Sequence, residues 1–133
     1  MQLTIAKTIE KAIDESPLNR GLRGADWVRD TSNIPFVEGK DVILFDKDSD
    51  GIYEIHVLLI ARGRAAVECI RRAFDMMFRE KGTAVIFGMV PDFRRDVKIM
   101  ARLCGMTFIQ KINHRGDDVE LFELTREQWE NNQ

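Results

Sequence analysis

Apolar residues recur along this chain at helical spacing in some stretches and in unbroken or alternating runs in others, and the changes of period mark its elements. Near the start, Ile5, Ile9, Ala12 and Ile13 fall on one helical face, and Pro17 is expected to end that helix. A turn from Asn19 to Gly24 leads into "ADWVRD", which reads as a short second helix. The runs "DVILF" and "IYEIHVLLI" are dense in β-branched and large apolar residues, as buried strands are. A long helix is expected from Arg64 to Lys81, with Val67, Ile70, Phe74 and Met77 on one face. Glu68, Arg72, Asp75 and Arg79 lie on the other, and Gly82 stops the helix. "TAVIFGMV" is a further strand ended by Pro91. Asp92 is placed to cap a helix that carries Phe93, Val97, Met100 and Cys104 inward, with Gly105 as its stop. "MTFIQKI" and "VELFELT" are two strands joined by the turn "NHRGDD". The order is two helices, a meander of strands, helix, strand, helix, strand, strand, which is an α/β sheet protein.

A length of 133 residues fits one domain with a single core. With 44% apolar and 32% charged residues the chain has the balance of a soluble globular protein rather than a disordered tail. Its formal charge of −2, from 20 basic and 22 acidic residues well interspersed, lacks the net basic field that holds nucleic acid non-specifically. Cys69 and Cys104 stand apart, each in an apolar helical pattern, and read as reduced core thiols. The N-terminal residues mix charge and apolarity too closely for a signal peptide. The longest uncharged apolar stretch, Val57 to Ala61, is too short to span a bilayer. A cytoplasmic protein is expected.

"DKDSDG", Asp46 to Gly51, begins like a calcium-binding loop. Counting Asp46 as the first position, the twelfth, where such a loop needs a bidentate glutamate, is Val57, and strand patterns rather than helices flank the run. Asp, Ser and Gly are also what a tight hairpin turn requires, so the run is read as a turn and no metal site is expected.

The next strand carries Glu54 and His56, two residues apart and therefore on one face. A carboxylate or an imidazole there could deprotonate an amine, or the two could be a hydrogen-bonded pair on a partly wet sheet face. The strand then runs through Arg62-Gly63-Arg64-Ala65 straight into the long helix. Backbone N–H groups at such a turn have no helical partners and, with the helix dipole behind them, suit a phosphate. Gly63 allows close approach, and Arg62 and Arg64 add positive charge. A basic turn ahead of a helix can equally be plain punctuation. Cys104 is a poor nucleophile, being in the apolar register of its helix with no histidine near it in sequence. Met76, Met77 and Phe78 are adjacent, so some are expected at a pocket rim or an interface, and the opening helix and Trp129 are further docking candidates.

Strand, basic glycine turn, helix, strand, "VP" break, helix, "CGM", strand: from Ile34 to Leu124 this sequence resembles the GNAT acetyltransferase superfamily. The resemblance implies a single domain over 1–133 with a mixed, mostly antiparallel sheet and helices on both faces. N-terminal helices would occupy 1–33, the central sheet with two helices 34–125, and a C-terminal tail 126–133. It also implies that Arg62, Gly63, Arg64, Ala65, Ala66 and Val67 bind the pyrophosphate of acetyl-CoA. The strand "TAVIFGMVP" would splay from its neighbour to admit the pantetheine arm, and Glu54, with His56 beside it, would be the catalytic base. Four positions depart from the family pattern. Ala65 replaces a glycine and Val67 a small residue, which narrows the phosphate site. Ala101 stands where the family often has a tyrosine that protonates the leaving thiolate, and Arg94 where it has an asparagine. Within the superfamily the blend "RGRAAVE…AFDMMF…GMVPDFRRDVKIMARLCGM" resembles small proteins of tailed bacteriophages, in particular the head-assembly and DNA-transfer accessory proteins of short-tailed phages. That implies a virion-assembly protein with a degenerate acyl-CoA site, in the host cytoplasm or on the particle, whose partners are phage structural or ejection proteins. The alternative is an active N-acetyltransferase.

Overall fold

Val42, Ile43, Leu44 and Phe45 are all buried, although successive strand residues point to opposite faces. A strand apolar on both faces must lie between two layers, and the computed structural model, which describes residues 2–16 and 21–133, shows them. The elements are α1 (Leu3–Glu15), α2 (Gly24–Arg29), β1 (Ile34–Glu38), β2 (Asp41–Ser49), β3 (Ile52–Leu58), α3 (Gly63–Glu80), β4 (Val85–Pro91), α4 (Arg95–Leu103), β5 (Thr107–His114), β6 (Asp117–Thr125) and α5 (Arg126–Asn131). The six strands form one mixed sheet in the order β1-β2-β3-β4-β6-β5. All neighbours are antiparallel except β3 and β4, which α3 joins as a crossover helix. The expected end of α1 at Pro17, and the start of the following turn at Asn19, lie outside the described residues.

One face of the sheet carries the larger core. Ile43, Phe45, Tyr53, Ile86, Phe122 and Leu124 meet a wide stripe of α3, from Cys69 through Ile70, Ala73, Phe74, Met77 and Phe78, with Val97, Met100 and Ala101 of α4 against them. On the opposite face, Ile9 and Ile13 of α1 and Trp27 of α2 cover Val42 and Leu44. Gly24 lets α2 touch α1, since a Cβ there would lie 2.5 Å from Glu10 Cα. β1 contains Pro35 and was not marked by the apolar pattern. It is an edge strand, the place where a missing N–H is tolerated.

Several expectations change. Met77 and Phe78 are fully buried and Met76 packs against the same core, so the three do not rim an interface: the stripe of α3 is wider than one residue per turn. Trp129 is buried, stacked on Phe78 with centroids 5.2 Å apart, its indole N–H donating to Asp75. It lies on α5, a short helix within the segment expected as a tail, and Thr125 and Gln128 close a capping box at its start. Asp92 does not cap α4. Arg94 is the N-cap residue, and Asp92 instead pairs with Lys98 and Lys111. Phe93 does not face inward but is 80% exposed. Both cysteines are buried thiols, each pushed up to about 11, first of all by burial. No described helix is long and apolar enough to cross a membrane.

Candidate functional site

The parallel pair at the centre of the sheet is short. β3 and β4 pair only through Ile52–Val85, Tyr53–Ile86 and Glu54–Phe87. Beyond Glu54, β3 stays bound to β2 as far as Leu58, and β4 stays bound to β6 as far as Pro91. The ends of the two strands are thus held by their outer neighbours and not by each other, and the sheet opens into a V with its apex at Glu54 and Phe87. Gly88 lines the apex, where a Cβ would come within 3.3 Å of Ile55 Cγ2.

On the α3 side the V leads to the basic turn. Arg62 is extended (φ −128°, ψ 159°) and provides no side-chain cap, so its side chain leaves the N–H groups of the first turn of α3 uncovered. Gly63 has φ +57°, and a Cβ there would meet nothing within 4 Å, so backbone conformation rather than space calls for glycine. The turn is clipped to the start of the neighbouring strand β2: Asp41 Oδ1 accepts from Ile60 N at 2.6 Å and Ala61 N at 3.0 Å. A cleft of about 550 Å³ runs from Gly63 and Arg64 between α3 and α4, walled by Val67, Ile99, Met100 and Leu103. Val67 lines the wall of this cleft. Ala65 is exposed at the helix start, whereas the side chain of Ala66 is fully buried and faces the core. Both arginines are engaged within the chain. Arg62 donates to Leu59 O (3.0 Å), and Arg64 Nε donates to Glu68 Oε1 (3.0 Å). Ala101 packs against the core and Tyr53 is buried within it, so neither the helix position nor the single tyrosine presents a phenol to the cleft. Arg94 holds Asp96 in a two-pronged bond at 3.1 Å.

On the opposite face stand Glu54 and His56, joined by residues that the sequence did not mark as a site. His56 Nε2 lies 3.2 Å from Asp46 Oδ2 and 3.8 Å from Glu54 Oε2. The other oxygen, Asp46 Oδ1, accepts from the Trp27 indole N–H at 2.6 Å. Asp46 was read only as part of a turn. The strand patterns on both sides of it are confirmed, but the first of the three aspartates turns inward to this network. Burial acts to raise the Asp46 carboxyl, yet the hydrogen bonds of His56 and Trp27 outweigh it and hold it low. Burial likewise opposes the charge on His56, but Asp46 and then Glu54 outweigh it, and the imidazole is raised. Glu54 is raised, chiefly by its own burial. A chain Trp27–Asp46–His56–Glu54 of this kind can take up a proton and spread the resulting charge over two carboxylates. Among the described residues there is no group of three or more His, Cys, Asp or Glu side chains arranged to hold a metal ion.

No protein-family model and no curated protein sequence matches this chain. Solved structures do. A chimera of the Vibrio cholerae spermidine N-acetyltransferase SpeG with hSSAT superposes with a TM-score of 0.76 at 13% identity, over 98% of this chain and 96% of that one. Mutant forms of the V. cholerae spermidine/spermine N-acetyltransferase SpeG give 0.76 at 14%, over 99% and 95%. A GNAT-family acetyltransferase from Bacillus anthracis gives 0.67 at 15%, over 96% and 92%. With a sheet that opens between its parallel strands and a glycine turn leading into the helix beside the opening, this chain has the fold of the GNAT acetyltransferases.

Proposed function

We propose that this protein is an N-acetyltransferase that moves an acetyl group from acetyl-CoA to an alkylamine. The observation that carries the reading is the end of β3–β4 pairing at Glu54 and Phe87, with the α3–α4 cleft on one face of the sheet and the Asp46–His56–Glu54 network on the other. The residues fit the cofactor in part: an apolar wall suits a pantetheine arm, and uncapped N–H groups with Arg64 suit a pyrophosphate. Val67 and the carboxylates of Glu68 and Asp96 narrow the site and reduce its charge. Bound acetyl-CoA supplies an activated acyl carbonyl and a thiolate leaving group.

The protein's own part is to bind and deprotonate the amine. An alkylammonium approaching the open face meets the carboxylate of Glu54, while both oxygens of Asp46 are engaged by Trp27 and His56. His56, with its side chain 44% exposed against 23% for Glu54, lies past the last β3–β4 pair and is the better placed of the two candidate bases. His56 takes one ammonium proton, the freed amine lone pair forms the C–N bond as the C–S bond breaks, and the amine's second proton leaves with the thiol. With Ala101 in place of a phenol, solvent water relays that last proton. The polyamine enzymes among the structural neighbours make spermidine a sound first substrate to assay.

Calorimetric titration with acetyl-CoA is the test. Saturable binding in the micromolar range, weakened by Arg64→Ala, together with amine-dependent thiol release, supports the reading; no heat at millimolar acetyl-CoA overturns it.

A second reading keeps the fold and drops the reaction: a bacteriophage assembly protein in the host cytoplasm or on the particle, contacting virion or ejection proteins. Val67 in the cleft wall favours it, as do Phe93, Ile99 and Leu103 at 80%, 55% and 56% exposure on and before α4. Affinity capture from infected cells that recovers no virion protein counts against it.

A further inference from the structure

The imidazole of His56 has two nitrogens with different surroundings, and which of them holds the proton decides which can act as a base. Nε2 is the nitrogen that faces Asp46 Oδ2 at 3.2 Å and Glu54 Oε2 at 3.8 Å. A carboxylate accepts and does not donate, so a neutral imidazole in this position keeps its hydrogen on Nε2. Asp46 is itself fixed from behind. Trp27 is 4% exposed in the α1–α2 core, and its indole N–H, a donor that needs a partner when buried, finds Asp46 Oδ1 at 2.6 Å. The carboxylate is therefore held in one orientation with its second oxygen directed at the ring.

We propose that Asp46 is a positioning residue: anchored by Trp27, it locks His56 as the Nε2–H tautomer and leaves Nδ1 as the lone-pair nitrogen that takes the proton of the incoming amine. The role rests on the acetyl-transfer reading, but the tautomer does not. On proton uptake at Nδ1 the ring becomes an imidazolium whose Nε2–H stays on Asp46. The charge is met by Asp46 from β2 and Glu54 from β3, with Asp30, just after α2, acting on Asp46, and Asp48 and His114 acting on Glu54. α2 itself contributes only the neutral indole.

Asp46→Asn tests this with almost no change of shape. The amide can still accept from Trp27 through its oxygen, but it presents an NH₂ to Nε2, so a neutral ring must accept there and carry its hydrogen on Nδ1. With ¹⁵N-labelled histidine in the full chain, His56→Gln separates the His56 resonances from those of His114, the other of the two histidines. Above its titration midpoint the wild-type ring is expected to show the Nε2–H pattern, D46N the reverse pattern with a lower midpoint, and kcat for acetyl transfer is expected to fall by about 10²-fold with KM little changed. The midpoint in the pH profile of kcat/KM should fall with the NMR midpoint. A wild-type ring protonated on Nδ1 overturns the proposal without recourse to any variant, and so does a D46N protein whose tautomer and midpoint match wild type. Absence of turnover by the wild type with acetyl-CoA and a panel of alkylamines overturns the acetyl-transfer reading instead. The two failures are distinguishable because the tautomer is read without turnover.

Discussion

Asp46 on β2 stands directly opposite Glu54 on β3, and His56, one side-chain step further along β3, closes the triangle with its Nε2 3.2 Å from the aspartate and 3.8 Å from the glutamate. The pairing depends on a register shift between Lys47 and Ser49. Counting back from the Ser49–Ile52 pair without that shift, Asp46 would face Ile55, on the other side of the sheet. One bulged residue thus assembles the network, and its consequences are measurable.

The pH dependence of stability is the most direct. The His56 pKa is raised above its ordinary 6.5, so its contribution is fully present below 6.5 and is lost as pH rises through the higher folded value. The Asp46 pKa is lowered from 3.8, so its contribution is present above 3.8 and is lost as pH falls through the lower folded value. Together they favour the fold most between 3.8 and 6.5. Glu54, raised from 4.5 mainly by burial, works the other way from Asp46, contributing below 4.5 and losing that contribution as it ionises in the fold. Urea unfolding across pH should show stability declining on the alkaline side of 6.5 in the wild type and less so in D46N. Glu54→Gln should be more stable than wild type near neutrality.

The cleft makes a prediction about affinity. Val67 occupies the wall and Glu68 holds Arg64 in an exposed i,i+4 pair, which is worth little to stability. Val67→Ala and Glu68→Gln should therefore each tighten acetyl-CoA binding several-fold in calorimetry, Glu68→Gln by freeing a guanidinium for the phosphates and removing a like charge. Arg64→Ala should weaken it.

Asp41 clips the turn before α3 by accepting two backbone N–H bonds at 2.6 and 3.0 Å. Asp41→Ala removes both and should lower the unfolding free energy by about 1–3 kcal/mol. It should also increase amide exchange at Ile60 and Ala61. If acetyl-CoA binds at this turn, its affinity should fall with the loss of order.

Gly24 permits the contact between α2 and α1, with a Cβ there meeting Glu10 Cα at 2.5 Å and Glu10 O at 2.6 Å. Gly24→Ala must move one helix, and Trp27 moves with α2. Beyond a loss of a few kcal/mol in denaturant unfolding, the variant should show the His56 midpoint shifted toward its ordinary value, because Asp46 loses its anchor. A destabilised variant with an unaltered His56 titration would show that α2 does not hold the network.

Most elements were legible because each follows from local chemistry. The apolar stripe of α3 has a helical period, Gly63 is needed where φ is +57°, and β2 and β3 flank a turn of Asp and Gly. The strand with the candidate base was legible too, since a spacing of two residues puts Glu54 and His56 on one face. β1 was missed because Pro35 breaks the expected pattern and is tolerated only at an edge, which is a property of the sheet and not of the segment. Trp129 and Met77–Phe78 were misplaced for a similar reason: local spacing gives the period of a helix but not how deeply its neighbours embed it.

The sequence by itself determined the order of the elements from α1 to β6 other than β1, the basic glycine turn and the shared face of Glu54 and His56, because those depend on period and on residues adjacent in the chain. Only the tertiary structure decided that β3 and β4 part after Glu54 and Phe87, since that depends on competing pairings with β2 and β6. It alone decided that Asp46 belongs to the site and not merely to a turn. A bulge sets the strand register, and Trp27, 19 residues earlier in the chain, sets the orientation of the carboxylate. Strand register and long-range hydrogen bonds are fixed by packing between segments, and no single segment encodes them.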